Sequence, residues 1–352
     1  MPLFLPTLSC ITMIFRSFFI LSAFCLLGNV QIDAQKLTPA DYKKMRLMDD
    51  SLHKFGVKVL DELLPANRLR ADSMFTRILV RTLKTPYSFY FHFDSLRTAP
   101  VVYPDDSSFR IITWHYTPDD ANYHQRGVIQ MNTADGSLKI FPLYDGSEFT
   151  EAPQDSIRTA QNWIGAVYYR IIQKKEADKT YYTLLGYDEN NLRTTRKWME
   201  MLSFNDRGEP RFGGSFTIPP DSTHPRPTVL KRYLLEYKKE ASAKLNYDVE
   251  EDIIVMDHLV SESNEPQKKF TLVPGGDYEA FKWQNGTWLN LPSLYIENRG
   301  DNNEPRPATI LSDNGTIDEN ILNEISEKNM GNAKPATPAK AAPPKAAKKK
   351  KG

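Results

Sequence analysis

The sequence predicts an α+β protein of mainly antiparallel β-structure: a multi-stranded meander, sandwich or barrel-like, preceded by an N-terminal helical hairpin. Three observations lead there. Apolar residues recur at helical spacing over 38–83. Beyond Pro86 the chain breaks into short runs rich in aromatic and β-branched residues, divided by Asp, Asn, Gly and Pro. Most of its 18 Phe, 17 Tyr and 5 Trp fall between Tyr87 and Tyr295, which places the folded body there.

The first helix opens at Thr38-Pro39, in N-cap and N1 style, and carries Met45, Met48, Leu52, Phe55, Val59 and Leu63 on one face. Pro65 is expected to end it. A second helix over 72–83 presents Met74, Phe75, Ile78, Leu79 and Val80, and the pair should cover one end or edge of a sheet. Strands are expected over 88–93, 109–116, 127–132, 138–143, 166–173, 181–187, 198–204, 211–218, 230–239, 245–249, 252–256, 278–283 and 287–291, with one helical stretch near 155–163. Three turns are specific: Asp135-Gly136, the loop from Asn205 to Gly208, and Asn285-Gly286. The last pair tolerates the positive φ angles of a two-residue hairpin turn and sets Trp283 opposite Trp288. The alternation around Trp198, Glu200 and Leu202 against Met199, Met201 and Ser203 suggests a sheet covered on one side and partly on the other. So many consecutive strands need closure or a second layer.

The two ends of the chain differ in kind from its body. Arg16 precedes an apolar run over 18–27, too short to span a bilayer, and Ala34 closes a more polar stretch. A secretory signal over 1–34, processed before Gln35, is the expectation, with Met13 as an alternative start. Both cysteines, Cys10 and Cys25, lie inside it, so the mature chain would have no disulfide, no thiolate zinc site and no cysteine nucleophile. The segments then run as helical 35–85, β-rich 86–296, polar 297–333 with a weak helical pattern over 317–325, and a Lys/Ala/Pro tail 334–352. That tail holds seven lysines and no acid, and it cannot bury enough surface to offset the entropy of ordering it. Without tail and signal the body carries 37 basic against 43 acidic residues. The tail is therefore a separate electrostatic object, suited to an anionic envelope polymer or surface rather than to a specific nucleic acid.

No chemistry-bearing motif stands out. The histidines, His53, His92, His115, His124, His224 and His258, lack metal-ligand spacing, and no nucleophile elbow, phosphate-binding glycine loop or EF-hand is present. The polar runs 188–191 and 301–304 have calcium-loop composition, but turns explain them better. No metal or cofactor is expected. Among weaker candidates, Asp257-His258 abuts the apolar run 253–256; as strand neighbours the two would face opposite ways unless the backbone bends. Trp114-His115 and His92-Phe93-Asp94 are similar polar insertions. Tyr168, Tyr169, Tyr181, Tyr182, Trp283 and Trp288 could form a sugar-stacking platform, although alternation sends half of any such set inward.

Several phrases, in order, resemble a group of exported proteins of Bacteroidota: Pro86-Tyr87-Ser88-Phe89, Phe93-Asp94-Ser95-Leu96, Asp105-Asp106 with Phe109-Arg110-Ile111 and Trp114, and Trp163-Ile164-Gly165-Ala166-Val167-Tyr168-Tyr169. Further phrases are Tyr181-Tyr182-Thr183-Leu184-Leu185-Gly186-Tyr187-Asp188, Glu200-Met201-Leu202-Ser203-Phe204, Phe212-Gly213, Met256-Asp257-His258-Leu259 and Tyr278-Glu279-Ala280-Phe281-Lys282-Trp283. The resemblance implies export and carries no activity. Five Asp-Ser triplets, at Asp50, Asp72, Asp94, Asp155 and Asp221, resemble the O-glycan acceptor pattern of such proteins, though at Asp72 and Asp155 a helix cap or turn explains the pair equally. Two functions remain in view. One is a noncatalytic exported binding or structural protein of the cell envelope, periplasmic or secreted. The other is a hydrolase of glycan or another polymer, using carboxylates such as Asp105, Asp106 and Asp257.

Overall fold

The computed structural model describes residues 37–220 and 225–294. The signal segment, the polar segment from Glu297 and the lysine tail lie outside them, as do His224, the 301–304 run and the triplet at Asp221.

Helix α1 (Pro39–Asp61) starts where the sequence places it: Thr38 Oγ1 accepts from the Asp41 amide at 3.1 Å, and Pro39 occupies a position that needs no amide donor. Helix α2 spans Pro65–Leu83, seven residues earlier than its apolar stripe suggests. Pro65 thus starts a helix rather than merely ending one, and Arg68 ties the junction by donating to the Glu62 and Leu63 carbonyls at 3.0 and 3.1 Å. Asp72 consequently sits inside α2 and caps nothing.

Strands β1 (Val101–Val102), β2 (Phe109–Tyr116), β3 (His124–Met131) and β4 (Ile140–Tyr144) make a first antiparallel sheet in that order. The second sheet is built from β5 (Arg158–Thr159), β6 (Val167–Glu176), β7 (Lys179–Asp188), β8 (Thr194–Phe204) and β9 (Pro210–Phe212), ordered β5-β9-β8-β7-β6. The chain then leaves for a third sheet with β10 (Phe216–Ile218) and β11 (Thr228–Leu230), returns to pair β12 (Arg232–Lys238) with β8, and leaves again. Strands β13 (Leu245–Asp248), β14 (Ile253–Ser261), β15 (Leu272–Gln284) and β16 (Thr287–Leu294) complete the third sheet, ordered β11-β10-β16-β15-β14-β13. Only β10 and β16 pair in parallel among the described strands.

Three apolar cores hold four layers together. Leu52, Val59, Phe75 and Leu79 of the helices pack on Ile112, Trp114 and Val128, so the helical pair covers a face of the first sheet rather than an edge. The other face of that sheet, with Phe109, Ile111 and Ile129, meets Leu184, Trp198, Leu202 and Phe212 of the second. Leu185, Met199, Met201 and Leu235 then meet Ile254, Phe281 and Trp288 of the third. Strand β8 therefore lies in a middle layer, with Met199 and Met201 buried on one face and Trp198, Glu200 and Leu202 on the other, a fuller cover than the one side and part of the other that its alternation suggests. This stacking of sheets is the sandwich form of the expected architecture, and no barrel closes among the described strands.

Four local expectations fail for physical reasons. Residues 88–93 form a 3-10 turn (Ser88–Tyr90) and a loop: Tyr87 adopts φ 56°, and fully buried Arg110 collects the Ser88 and Phe91 carbonyls at 2.9 and 2.8 Å. The Ser88 carbonyl also accepts from the Phe91 amide at 3.0 Å, which closes the 3-10 turn in place of a strand ladder. The 211–218 strand is cut at Gly213, with φ 127°, and Gly214, where a Cβ would fall 2.2 Å from the Met201 sulfur. Here the chain crosses between sheets, and it crosses back at Lys231, splitting the 230–239 strand. The 155–163 stretch yields only β5 and one 3-10 turn, Ala160–Asn162, capped by Thr159. The three specific turns hold, with Gly136, Gly208, Asn285 and Gly286 all at positive φ.

Candidate functional site

Where the core between the second and third sheets runs out, a cleft of about 490 Å³ opens. Sequence dictates its walls. On β8, Lys197 shares a face with Met199 and Met201, so alternation carries a cation into the same inter-sheet space that the methionines fill deeper in. Tyr187 of β7 lies directly beside Lys197, and Tyr237 of β12 beside Thr195. A β-bulge in β6 skips Tyr169 between the pairs Tyr168↔Gly186 and Arg170↔Leu185, and turns its ring toward the cleft. The 239–244 connection and the start of β13 supply the opposite wall, with Lys239, Ser242, Lys244 and Asn246.

The tyrosines are fixed. Tyr169 donates to the Leu245 carbonyl at 2.7 Å, joining the two sheets across the cleft, and Tyr187 donates to Glu189 Oε1 at 2.6 Å. Burial pushes the Tyr169 and Tyr187 phenols well above their ordinary range and Tyr237 up to about 12, so all three are neutral walls near pH 7.

The cations differ from one another. Lys239 is paired: its ammonium donates to the Glu189 carboxylate and, at 2.9 Å, to the Glu189 carbonyl. Burial opposes the charge on Glu189, but the bonds from Lys239 and Tyr187 outweigh it and hold its carboxyl below the usual range. His115 stands near this pair, and burial lowers its basicity, so it adds no charge there. The Lys244 ammonium lies 5.1 Å over the Tyr278 ring, while its backbone amide donates to Asp257 Oδ2 at 2.6 Å. The Lys197 ammonium makes no hydrogen bond, ion pair or ring contact among the described residues. Burial lowers its pKa, and the Asp257 carboxylate opposes that shift through space. A half-buried ammonium facing a cavity without a partner is an unspent anion-binding group.

Asp257 and His258 of the sequence reading do sit at an irregularity, since β14–β15 pairing jumps from Asp257↔Tyr278 to Leu259↔Pro274. They nevertheless take separate partners. Asp257 serves Lys244, and His258 Nδ1 lies 2.6 Å from Glu279 Oε1. Trp114 is a core residue: its indole donates to Asp72 Oδ1 at 2.9 Å and its ring packs 4.9 Å from Phe75. Asp106 accepts from Tyr182 at 2.7 Å and from the Ser108 amide at 3.0 Å, stapling the β1–β2 turn to the second sheet. Asp105 lies exposed beside it in the turn. Neither shares a contact with Asp257 on the third sheet.

Of the six aromatic residues that could form a platform, with core packing as the default expectation, only Tyr169 reaches the cleft. Tyr168 is fully buried against Trp163, Tyr182 packs on Phe109, and Tyr181, Trp283 and Trp288 form one cluster. The 188–191 run ends β7 and begins the connection to β8: Asp188 accepts from the Asn190 amide, and Asn191, bridged to Asn122, from the amides of Arg193 and Thr194. No cluster of three or more His, Cys, Asp or Glu side chains suited to a metal occurs among the described residues. No helix among them is long and apolar enough to cross a membrane. The lysines and Tyr187 and Tyr237 were missed by motif reasoning, yet one signal was present: Lys197 shares a strand face with Met199 and Met201. Compared with models of protein families, with curated proteins and with solved structures, the chain matches none.

Proposed function

We propose that this chain is a noncatalytic exported binding protein of the bacterial cell envelope, and that it holds an anionic ligand in the lysine–tyrosine cleft between its second and third sheets. The observation that carries the proposal is Lys197, an unpartnered cation at the mouth of a core, framed by tyrosines whose hydroxyls are already committed. Rigid walls around one free charge suit binding, because little ordering remains to oppose it. The hydrolase alternative has less support: Asp105, Asp106 and Asp257 do not converge on one space, and Asp106 and Asp257 are engaged as hydrogen-bond acceptors. Export rests on the pattern of Arg16, the 18–27 run and Ala34, and on the resemblance described above. The seven tail lysines supply a second contact, loose and salt-sensitive, with an anionic polymer or surface.

Two measurements test the proposal. Thermal-shift and calorimetric screening of soluble anionic and neutral sugars should find anions that stabilise the protein, and Lys197→Gln should abolish the effect. Stabilisation that survives Lys197→Gln, or comes equally from neutral sugars, would reject the cleft as the site. For export, the intact mass of protein recovered from the envelope or medium should correspond to a chain beginning at Gln35; a main species retaining Met1 or Met13 would refute it.

A further inference from the structure

We infer that the cleft selects a hydroxylated, ring-bearing ligand with a single negative charge, a sugar carboxylate, and discriminates against phosphate dianions. This rests on the reading of the cleft as the binding site. The charge balance is the first ground. Three lysines reach the cleft, Lys197, Lys239 and Lys244, and two carboxylates stand near them: Glu189 pairs with the Lys239 ammonium, while Asp257 is held by the Lys244 backbone amide and acts through space on Lys197. One positive charge is left over. A monoanion neutralises it, whereas the second charge of a dianion would face Glu189 and Asp257 with no cation to spare, in a site where burial strengthens the repulsion.

The walls argue for the body of the ligand. The hydroxyls of Tyr169 and Tyr187 are tied to Leu245 and Glu189, so these side chains offer ring surface rather than donors. Between the rings, Thr195, Ser242 and Asn246 bring short polar groups to the lining. Flat apolar faces alternating with hydroxyl and amide groups match a sugar ring, which has an apolar face and a polar rim. A volume of about 490 Å³ accommodates one or two such rings.

Glucose, glucuronate and glucose 6-phosphate share one ring and differ in charge at a single position, which makes them the probes. Calorimetric titration of the full chain should give glucuronate the tightest binding, with glucose and glucose 6-phosphate each weaker by about tenfold or more. Lys197→Gln should remove the preference for glucuronate over glucose, and Lys197→Arg, which keeps the charge, should retain it. Glu189→Gln, which releases Lys239, should shift the preference toward glucose 6-phosphate. Circular dichroism and melting of each variant separate lost binding from lost fold. Glucose 6-phosphate binding as tightly as glucuronate, in a manner abolished by Lys197→Gln, would overturn the single-charge inference and leave the anion-binding cleft standing. Binding of neither anion in a Lys197-dependent way would overturn both.

Discussion

Glu200 and Asp188 show how differently two buried carboxylates behave. Glu200, in the core between the first two sheets, accepts from Tyr168 and, at 3.1 Å, from Arg232, and both ion-pair partners are fully buried. Arg232 also donates to the carbonyls of Pro153, Ser156 and Phe212. It thereby anchors the stretch before β5 and the end of β9. Glu200→Ala should cost about 3–5 kcal/mol, since it strands a buried cation. Replacing both partners with apolar residues should recover only part, because three carbonyls lose their donor. Urea melts of the single and double variants would measure this, and a full recovery would contradict it. Asp188 has Gln125 and the Asn190 amide as donors at 2.6 and 2.7 Å. Burial and the nearby Asp145 nevertheless outweigh these bonds and Arg196, raising it to about 7. The folded chain therefore holds a proton that the unfolded chain gives up near pH 4, and stability falls as pH rises between those values, by at most about 1.4 kcal/mol per pH unit. Asp188→Asn keeps the acceptor oxygen and removes the charge. It should flatten that part of the stability–pH curve and stabilise the protein at pH 8 relative to the unmodified chain; no difference in slope between the two would refute the assignment.

At the scale of elements, the strongest sequence signal gave the most accurate result. Asn285 and Gly286 take φ 51° and 78°, and Trp283 pairs with Trp288 across the hairpin with ring centroids 5.3 Å apart at 70°. Trp288 is fully buried and donates to Thr183 Oγ1 at 2.8 Å, while Trp283 is partly buried between Tyr181 and Trp288. Trp288→Ala should cost about 3–5 kcal/mol. Trp283→Ala should cost less, yet more than the ~0.5 kcal/mol of a surface change. Denaturant midpoints of the two variants decide, and two near-native values would contradict a structural role. Strand β2, rich in aromatic and β-branched residues over Phe109–Tyr116, was also legible to the residue. What failed was set from outside the segment. Nothing within 88–93 announces that Arg110, twenty residues on, will take its carbonyls. Likewise, nothing near Gly213-Gly214 reveals that Met201 lies beneath. Propensity reads the local chain, whereas these breaks answer to a cation and a layer crossing supplied by tertiary packing.

For the whole molecule, the class and antiparallel character could be read from texture, but the number of layers could not. The alternation that suggests a sheet covered on one side and partly on the other also fits β8, where Glu200 is buried against Arg232 and Lys197 is half-buried at the cleft. The candidate site was invisible for the same reason. Its residues come from β6, β7, β8, β12, the 239–244 connection and the start of β13, and only the repeated crossing of the chain between sheets brings them together. The central claim is that this meeting point binds an anion through Lys197. Hydrogen exchange measured peptide by peptide, on the full chain with and without glucuronate, tests it most directly. The account expects slowed exchange in peptides covering 193–198 and 239–247, and none of it in Lys197→Gln. Protection absent from both segments, or confined to the lysine tail, would contradict it.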